Sequence, residues 1–352
     1  MKIGIITYHR ALNYGAVLQC YALQKVLAKL GHEVAVIDFR QPTIEKLYAL
    51  NFRMLEVVKA ILGFHPRSLI AIYKHRRTVL KFHRFIRRYI SCTTPCSLEI
   101  QKNFDAYIIG SDQMWSFNCV GGYEPVYFGQ FKRKRDSKLY GYAISSCGDF
   151  IKLMPKDTVR KLLHGFTKYS LREQKIAQLL EPIVGQDIPI CLDPTLLLDA
   201  EDWDSLINRK YQNKKYVLLY QVRGGNGKSV EVVAEAQKFA ESKGVEMIDM
   251  SNRNHSIEDF VSAIKYAKYV ITTSFHATVF SVIFGIPFVT IKLGDGHDGR
   301  YVDLLESLKM TDHLLDINDT CREIKMCHDE NGNILKKLDV LRQGSLNFLQ
   351  TL

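Results

Sequence analysis

The sequence predicts an α/β protein of two Rossmann-like domains, residues 1–198 and 199–352, facing a cleft. Three observations predict it. At 352 residues the chain is long for one hydrophobic core and suits two domains. It opens with a strand–helix–strand pattern, and a second strand series begins near Tyr216 and ends in another such unit.

The elements follow in order. Lys2 to Tyr8 reads as a strand and Ala16 to Leu30 as a helix with apolar Val17, Leu18, Tyr21, Val26 and Leu27. Gly31 supplies its stop, and Glu33 to Phe39 is the next strand. The loop His9 to Gly15 holds one glycine, so the dinucleotide fingerprint is absent, and Asp38 alone is weak evidence for a ribose site. Pro42 to Ile90 is mostly helical and basic. Phe104 to Ile109 returns as a buried strand ending in the polar loop Gly110-Ser111-Asp112-Gln113. Leu139 to Ser145 is a further strand, and Lys168 to Leu180 contains the short run SLREQ. Pro189 to Leu198 reads as the last strand of the first half, and the polar stretch Asp199 to Asn213 as the link. In the second half, strand Tyr216 to Val222 runs into the glycine-rich loop Arg223 to Lys228. Helix 229–242, strand Glu246 to Met250 and helix Ser256 to Ala267 come next, the last with Ser256 as N-cap and Asp259 at N3.

Tyr269 to Ile291 is the most informative stretch, 23 residues without a formal charge. That length would cross a bilayer. Scattered Thr and Ser and the break at Gly285-Ile286-Pro287 instead divide it into strand, buried helix and strand. Ser274, Phe275 and His276 then fall where the first strand hands over to the helix. Ligands bind at that carboxyl edge of open α/β sheets, and helix N-termini favour anions. A lone His in an apolar segment is more often a satisfied core residue. Its place beside Thr272, Thr273 and Ser274 at a helix N-terminus, where the dipole favours a neutral imidazole, makes it a candidate proton-transfer group.

Apolar content of 47% and charged content of 24% are ordinary for a globular protein. The N-terminus lacks the pattern of a signal peptide. Eight cysteines show no CxxC and no paired metal spacing, which predicts reduced thiols, a cytoplasmic location and no structural zinc. The net charge of +11 is uneven: Lys74, Arg76, Arg77, Lys81, Arg84, Arg87 and Arg88 share a helix without an acid, and Lys132 to Arg135 forms a second cluster. No nucleic-acid module accompanies them, so no nucleic-acid partner is expected. A solvated face is the default, set against an anionic substrate or membrane surface with peripheral association at the inner leaflet.

Several short motifs recur in one order: Asn13-Tyr14-Gly15-Ala16 with Leu18-Gln19 and Tyr21-Ala22-Leu23; Ile109-Gly110-Ser111-Asp112-Gln113 with Trp115; Arg172-Glu173; Leu192-Asp193-Pro194-Thr195; and Ser274-Phe275-His276 with Gly285-Ile286-Pro287. Together they resemble the polysaccharide pyruvyl transferase family over nearly the full length. The resemblance implies a GT-B-like fold and transfer of pyruvate from phosphoenolpyruvate (PEP) to a sugar of a cell-surface polysaccharide or its precursor. The product is a cyclic ketal on two hydroxyls, and phosphate is released. It implies His276 as proton donor, since a near-neutral group suits protonation of the enol methylene. Asp112 is a candidate base toward an acceptor hydroxyl, against the plainer reading of an Asp that closes its own turn. Asn13, Ser111 and Gln113 are candidates for sugar hydroxyls. The family's segment often reads Arg-x-His, and here Ser274 stands at the arginine's place. Arg223, Lys292 and Arg300 are the cations that could hold the donor instead, each set against a solvated charge. No metal or other cofactor is expected. The acceptor is a sugar or a lipid-linked glycan. Two alternatives stand: a GT-B-type glycosyltransferase using a nucleotide sugar, with a diphosphate site at Gly224 to Gly227, and a non-catalytic glycan-binding relative that has lost the donor arginine.

Overall fold

The computed structural model describes residues 1–47, 66–96, 103–222, 229–252, 254–294, 296, 298–317 and 333–352. Two five-stranded sheets, each all-parallel, organise it. The first comprises β1 (Lys2–Ile6), β2 (Glu33–Val36), β3 (Ala106–Asp112), β4 (Lys138–Ile144) and β5 (Lys168–Leu171), in the order β2-β1-β3-β4-β5. The second comprises β6 (Tyr216–Tyr220), β7 (Glu246–Asp249), β8 (Tyr269–Thr272), β9 (Phe288–Lys292) and β10 (Leu314–Asp316), in the order β7-β6-β8-β9-β10. Both orders are one topology repeated. Each reverses its direction of growth once, between β1 and β3 in the first sheet and between β6 and β8 in the second. Those crevices at the carboxyl ends of the strands are where open α/β sheets bind ligands.

The central strands are buried on both faces and read as continuous apolar runs, as parallel strands must. Helix α1 (Tyr14–Lys29) follows β1 and is buried along nearly its whole first three turns, so its pattern is apolar all round rather than striped. Helix α2 (Pro66–Tyr89) lays Val79, Phe82, Phe85 and Ile86 against the core. Helices α3 (Gln174–Val184), α4 (Ser229–Ser242) and α5 (Ile257–Lys265) follow β5, β6 and β7, and α5 carries the expected capping box of Ser256 and Asp259. Helix α6 (Phe275–Phe284) links β8 to β9, and α7 (Gly299–Leu308) follows β9.

One hydrophobic core runs through both halves, from Ile3 and Ile5 to Tyr216 and Leu218. Tyr14 is at its centre, stacked on Phe260 of α5 at 4.5 Å between ring centroids and on Phe82 of α2 at 5.3 Å. The terminal helix α8 (Asn333–Gln350) returns to the first half. There the Leu192 N–H donates to Ser345 Oγ at 2.9 Å, and Phe348 packs on Tyr142.

Two readings need correction. Pro189 to Leu198 is no strand: it makes a single bridge, Ile190 to Leu171, and then a short 3-10 turn at Pro194–Leu197. Pro194 cannot donate to a ladder, and the Asp193 carboxylate accepts the Thr195 N–H and bends the chain there. The short strand β10 also went unread, since three residues carry no periodicity. The glycine-rich loop Arg223 to Lys228 lies outside the described residues.

Candidate active site between the sheets

The carboxyl ends of both sheets face one another, and the loops leaving them line three adjoining cavities. The first, about 190 Å³, lies at both switch points at once. Asn13 and Asp112 border it from the first sheet, and Thr273, Ser274 and His276 from the second, with Arg300 and Tyr301 closing the side. The second, about 160 Å³, shares Gln113 with the first and adds Glu173, Lys175 and Asp303. The third, about 260 Å³, is bordered by Arg172, Asp193 and Phe275. Arg300 borders all three.

Residues at three helix starts, Asn13, Ser274 and Arg300, border the first cavity. The Asn13 side chain caps α1 by accepting the N–H groups of Gly15 and Ala16 at 2.9 and 3.3 Å. Ser274 caps α6 through its contact with the Ala277 N–H, and Asp298 is the cap residue of α7. First-turn N–H groups have no intrahelical partner, so each helix offers partial positive charge to the cavity. Arg300 stands in the first turn of α7, where the dipole disfavours a cation. An anion in the cavity would satisfy both the dipole and the guanidinium. Its loop is fixed by Asp298, whose carboxylate accepts the N–H groups of Leu293 and Gly294 at 3.0 and 2.7 Å.

His276, 7% exposed, is gripped from both sides. Its Nε2 lies 3.5 Å from Asp193 Oδ2, an oxygen that also pairs with Arg172 Nη2 at 2.7 Å. Burial acts to raise the Asp193 carboxyl, but Arg172 and His276 outweigh it and hold the group well below the usual carboxylate range. The other edge of the ring meets Gly15. A Cβ there would fall 1.9 Å from His276 Nδ1, so only glycine lets the first turn of α1 approach so closely. Gly15→Ala tests this contact. In a free helix the change would stabilise by about 1 kcal/mol. Here it is expected to lower the melting temperature and cut turnover about tenfold, because the imidazole must move. A more stable protein of full activity would show that the ring position does not matter.

Two guanidinium groups lie near the Phe275 ring, Arg172 at 5.3 Å and Arg300 at 5.8 Å from its centre. Arg172 is buried, and its Nε and Nη1 make no hydrogen bond among the described residues. Buried guanidinium donors without partners are costly unless a ligand meets them. Glu173 is buried beside it, hydrogen-bonded through Oε1 to the Ser145 hydroxyl. Burial raises its carboxyl above the ordinary value, as it raises Asp303.

The candidates read from sequence divide. His276, Asp112, Asn13, Gln113, Ser274 and Arg300 border the cavities. Asp112 also closes its own turn, Oδ1 accepting the Gln113 N–H at 2.8 Å. Ser111 is wholly buried: its hydroxyl donates to the Ala143 carbonyl and accepts from Arg172, so it seats the arginine rather than facing a cavity. Lys292 ends β9, half-buried, and borders none of the three cavities. Arg223 lies outside the described residues. Asp38 is occupied, pairing with His9 at 3.0 Å and Arg40 at 3.1 Å. Sequence reasoning placed Phe275 at this strand end but did not place Arg172, Glu173, Asp193 or Asp303 in the site. The motifs Arg172-Glu173 and Asp193-Pro194 were the available signal.

Comparison with solved structures gives distant likenesses. A UDP-GlcNAc 2-epimerase from Methanocaldococcus jannaschii is 11% identical, with 97% of this chain and 92% of that one covered, at a TM-score of 0.46. The glycosyltransferase SsfS6 from Streptomyces sp. SF2575 is 10% identical, covering 99% and 96%, at 0.40. The heptosyltransferase WaaC from E. coli is 12% identical, covering 87% and 99%, at 0.33. Comparison with curated proteins gives no match. The family model described as polysaccharide pyruvyl transferase matches residues 13–294, which take in Asn13, Asp112, Arg172, Asp193 and His276. The chain belongs to the polysaccharide pyruvyl transferase family.

Proposed function

We propose that the protein transfers pyruvate from PEP to two hydroxyls of a sugar and releases phosphate. The observation that carries the reading is the meeting of His276, Arg300 and three helix N-termini on one cavity. PEP brings a carboxylate and a phosphate, and this cavity concentrates positive charge without a dedicated arginine at position 274. Arg300 takes the donor's anionic end with the helix N-termini. His276 delivers a proton to the methylene carbon while positive charge grows at the neighbouring carbon, which one acceptor hydroxyl attacks. Attack by the second hydroxyl at the same carbon displaces phosphate and closes the ketal. Asp193 lies on the Nε2 side of the ring, and the Asn13–Gly15 turn packs on the Nδ1 side. The adjoining cavity of Gln113, Glu173 and Asp303 suits sugar hydroxyls. Asp303 there serves as proton acceptor better than Asp112, whose Oδ1 is engaged by its own loop, or Glu173, whose Oε1 is engaged by the Ser145 hydroxyl.

The test is incubation with PEP and candidate sugars, reading phosphate release and the ketal carbon by NMR. Arg300→Lys is expected to raise the KM for PEP about tenfold or more with a smaller change in kcat, because a point charge cannot replace the guanidinium fork. Release of a nucleoside diphosphate from a nucleotide sugar, with no phosphate from PEP, would replace this reading by glycosyl transfer.

A further inference from the structure

We infer that the outward face of α2 docks on an anionic lipid surface. Helix α2 is 24 residues long and contains no Asp or Glu. Its inner face, Val79, Phe82, Phe85 and Ile86, is buried. Lys74, Arg76, Arg77, Arg84, Arg87 and Arg88 are exposed. Lys81 leaves the group, because its ammonium donates to the Asn254 carbonyl at 2.6 Å. Apolar side chains stand among these cations. Ile70, Tyr73 and Leu80 are 53%, 60% and 56% exposed on the same helix.

Their spacing sets the chemistry. Ile70, Tyr73, Arg77, Leu80, Arg84 and Arg87 recur every three or four residues, so they form one stripe along the helix. Apolar side chains and arginines alternate along it, and Arg77 covers the Tyr73 ring at 5.6 Å. A polyanion such as nucleic acid needs only the cations. A bilayer of acidic lipids takes both: phosphates meet the guanidinium groups, and Ile70, Tyr73 and Leu80 enter the headgroup–acyl boundary. The face is also rigidly mounted. Phe82 stacks on Tyr14 at the start of α1, and Thr78 and Lys81 reach Asn254 of the second half. This inference does not depend on the reaction assigned to the cleft.

Sedimentation of the full chain with vesicles tests it. Phosphatidylglycerol-containing vesicles are expected to capture the protein at low salt, and pure phosphatidylcholine vesicles at least tenfold less. Rising salt should weaken capture, since charges are screened over about 8 Å at physiological ionic strength. Arg84→Glu, Arg87→Glu and Arg88→Glu combined should cut capture at least tenfold, and the three lysine substitutions should retain it. Ile70→Ser, Tyr73→Ser and Leu80→Ser combined should keep the low-salt capture and lose the part that survives salt. All three variants should melt like the wild type, since the positions are exposed. Equal capture by neutral vesicles, or by wild type and the glutamate variant, overturns the inference. So does tighter binding to duplex DNA than to acidic vesicles, or a dimer that the serine variant alone dissolves.

Discussion

Replacing His276 by alanine is expected to lower pyruvyl transfer about 100-fold or more, the range for loss of a general acid. The chain should still fold. The ring leaves a cavity at the start of α6, but Asp193 keeps its ion pair with Arg172 at 2.7 Å, so no buried charge is stranded. The Ser274 cap and the apolar body of α6 also remain. His276→Gln separates position from proton transfer. Glutamine fills much of the space and bonds well, but it does not titrate near neutrality. If His276 acts by proton transfer, glutamine should restore the melting temperature without restoring phosphate release. Single-turnover phosphate release and thermal melts make the comparison. Near-wild-type turnover in either variant would remove His276 from the chemistry and leave Arg300 and the helix starts as a binding site only.

The parts legible in the sequence were those governed by local rules. Strand–helix–strand units appeared as runs of β-branched residues followed by apolar helices, and Ser256 with Asp259 announced the start of α5. His276 was visible because it interrupts an uncharged run at a predicted strand end. Arg300 stood out only as one of three cations in loops. What set it apart from Lys292 is the geometry of α7, whose first turn brings Arg300 to all three cavities. Asp193 was hidden for another reason. In sequence it belongs to an apolar run that reads as a strand, and its partners Arg172 and His276 are 21 and 83 residues away. Gly15 read only as the one glycine of the loop before α1 until the opposite half supplied the imidazole against it. Contacts made across the cleft leave no periodic trace.

The largest stability effect is expected at Asp193. Its side chain has no exposure, and that of Arg172 is 4% exposed. Asp193→Asn should destabilise the fold by about 3–5 kcal/mol at neutral pH, because Arg172 then lies buried without its countercharge. Replacing both partners, Arg172→Met with Asp193→Leu, should cost less than the sum of the single changes, since no lone charge remains. The pH dependence has a definite sign. The folded carboxyl is held below its unfolded value of about 3.9, so its ionised form contributes stability above that pH and loses it as pH falls through the folded value. The gap between wild type and Asp193→Asn should therefore be constant from pH 7 to about pH 5 and narrow below about pH 4. Urea unfolding followed at several pH values measures it. A gap that stays constant into acid, or strict additivity in the double variant, would mean that the Arg172–Asp193 pair does not hold this corner of the cleft together. The position of His276 would then rest on Gly15 and the α6 cap alone.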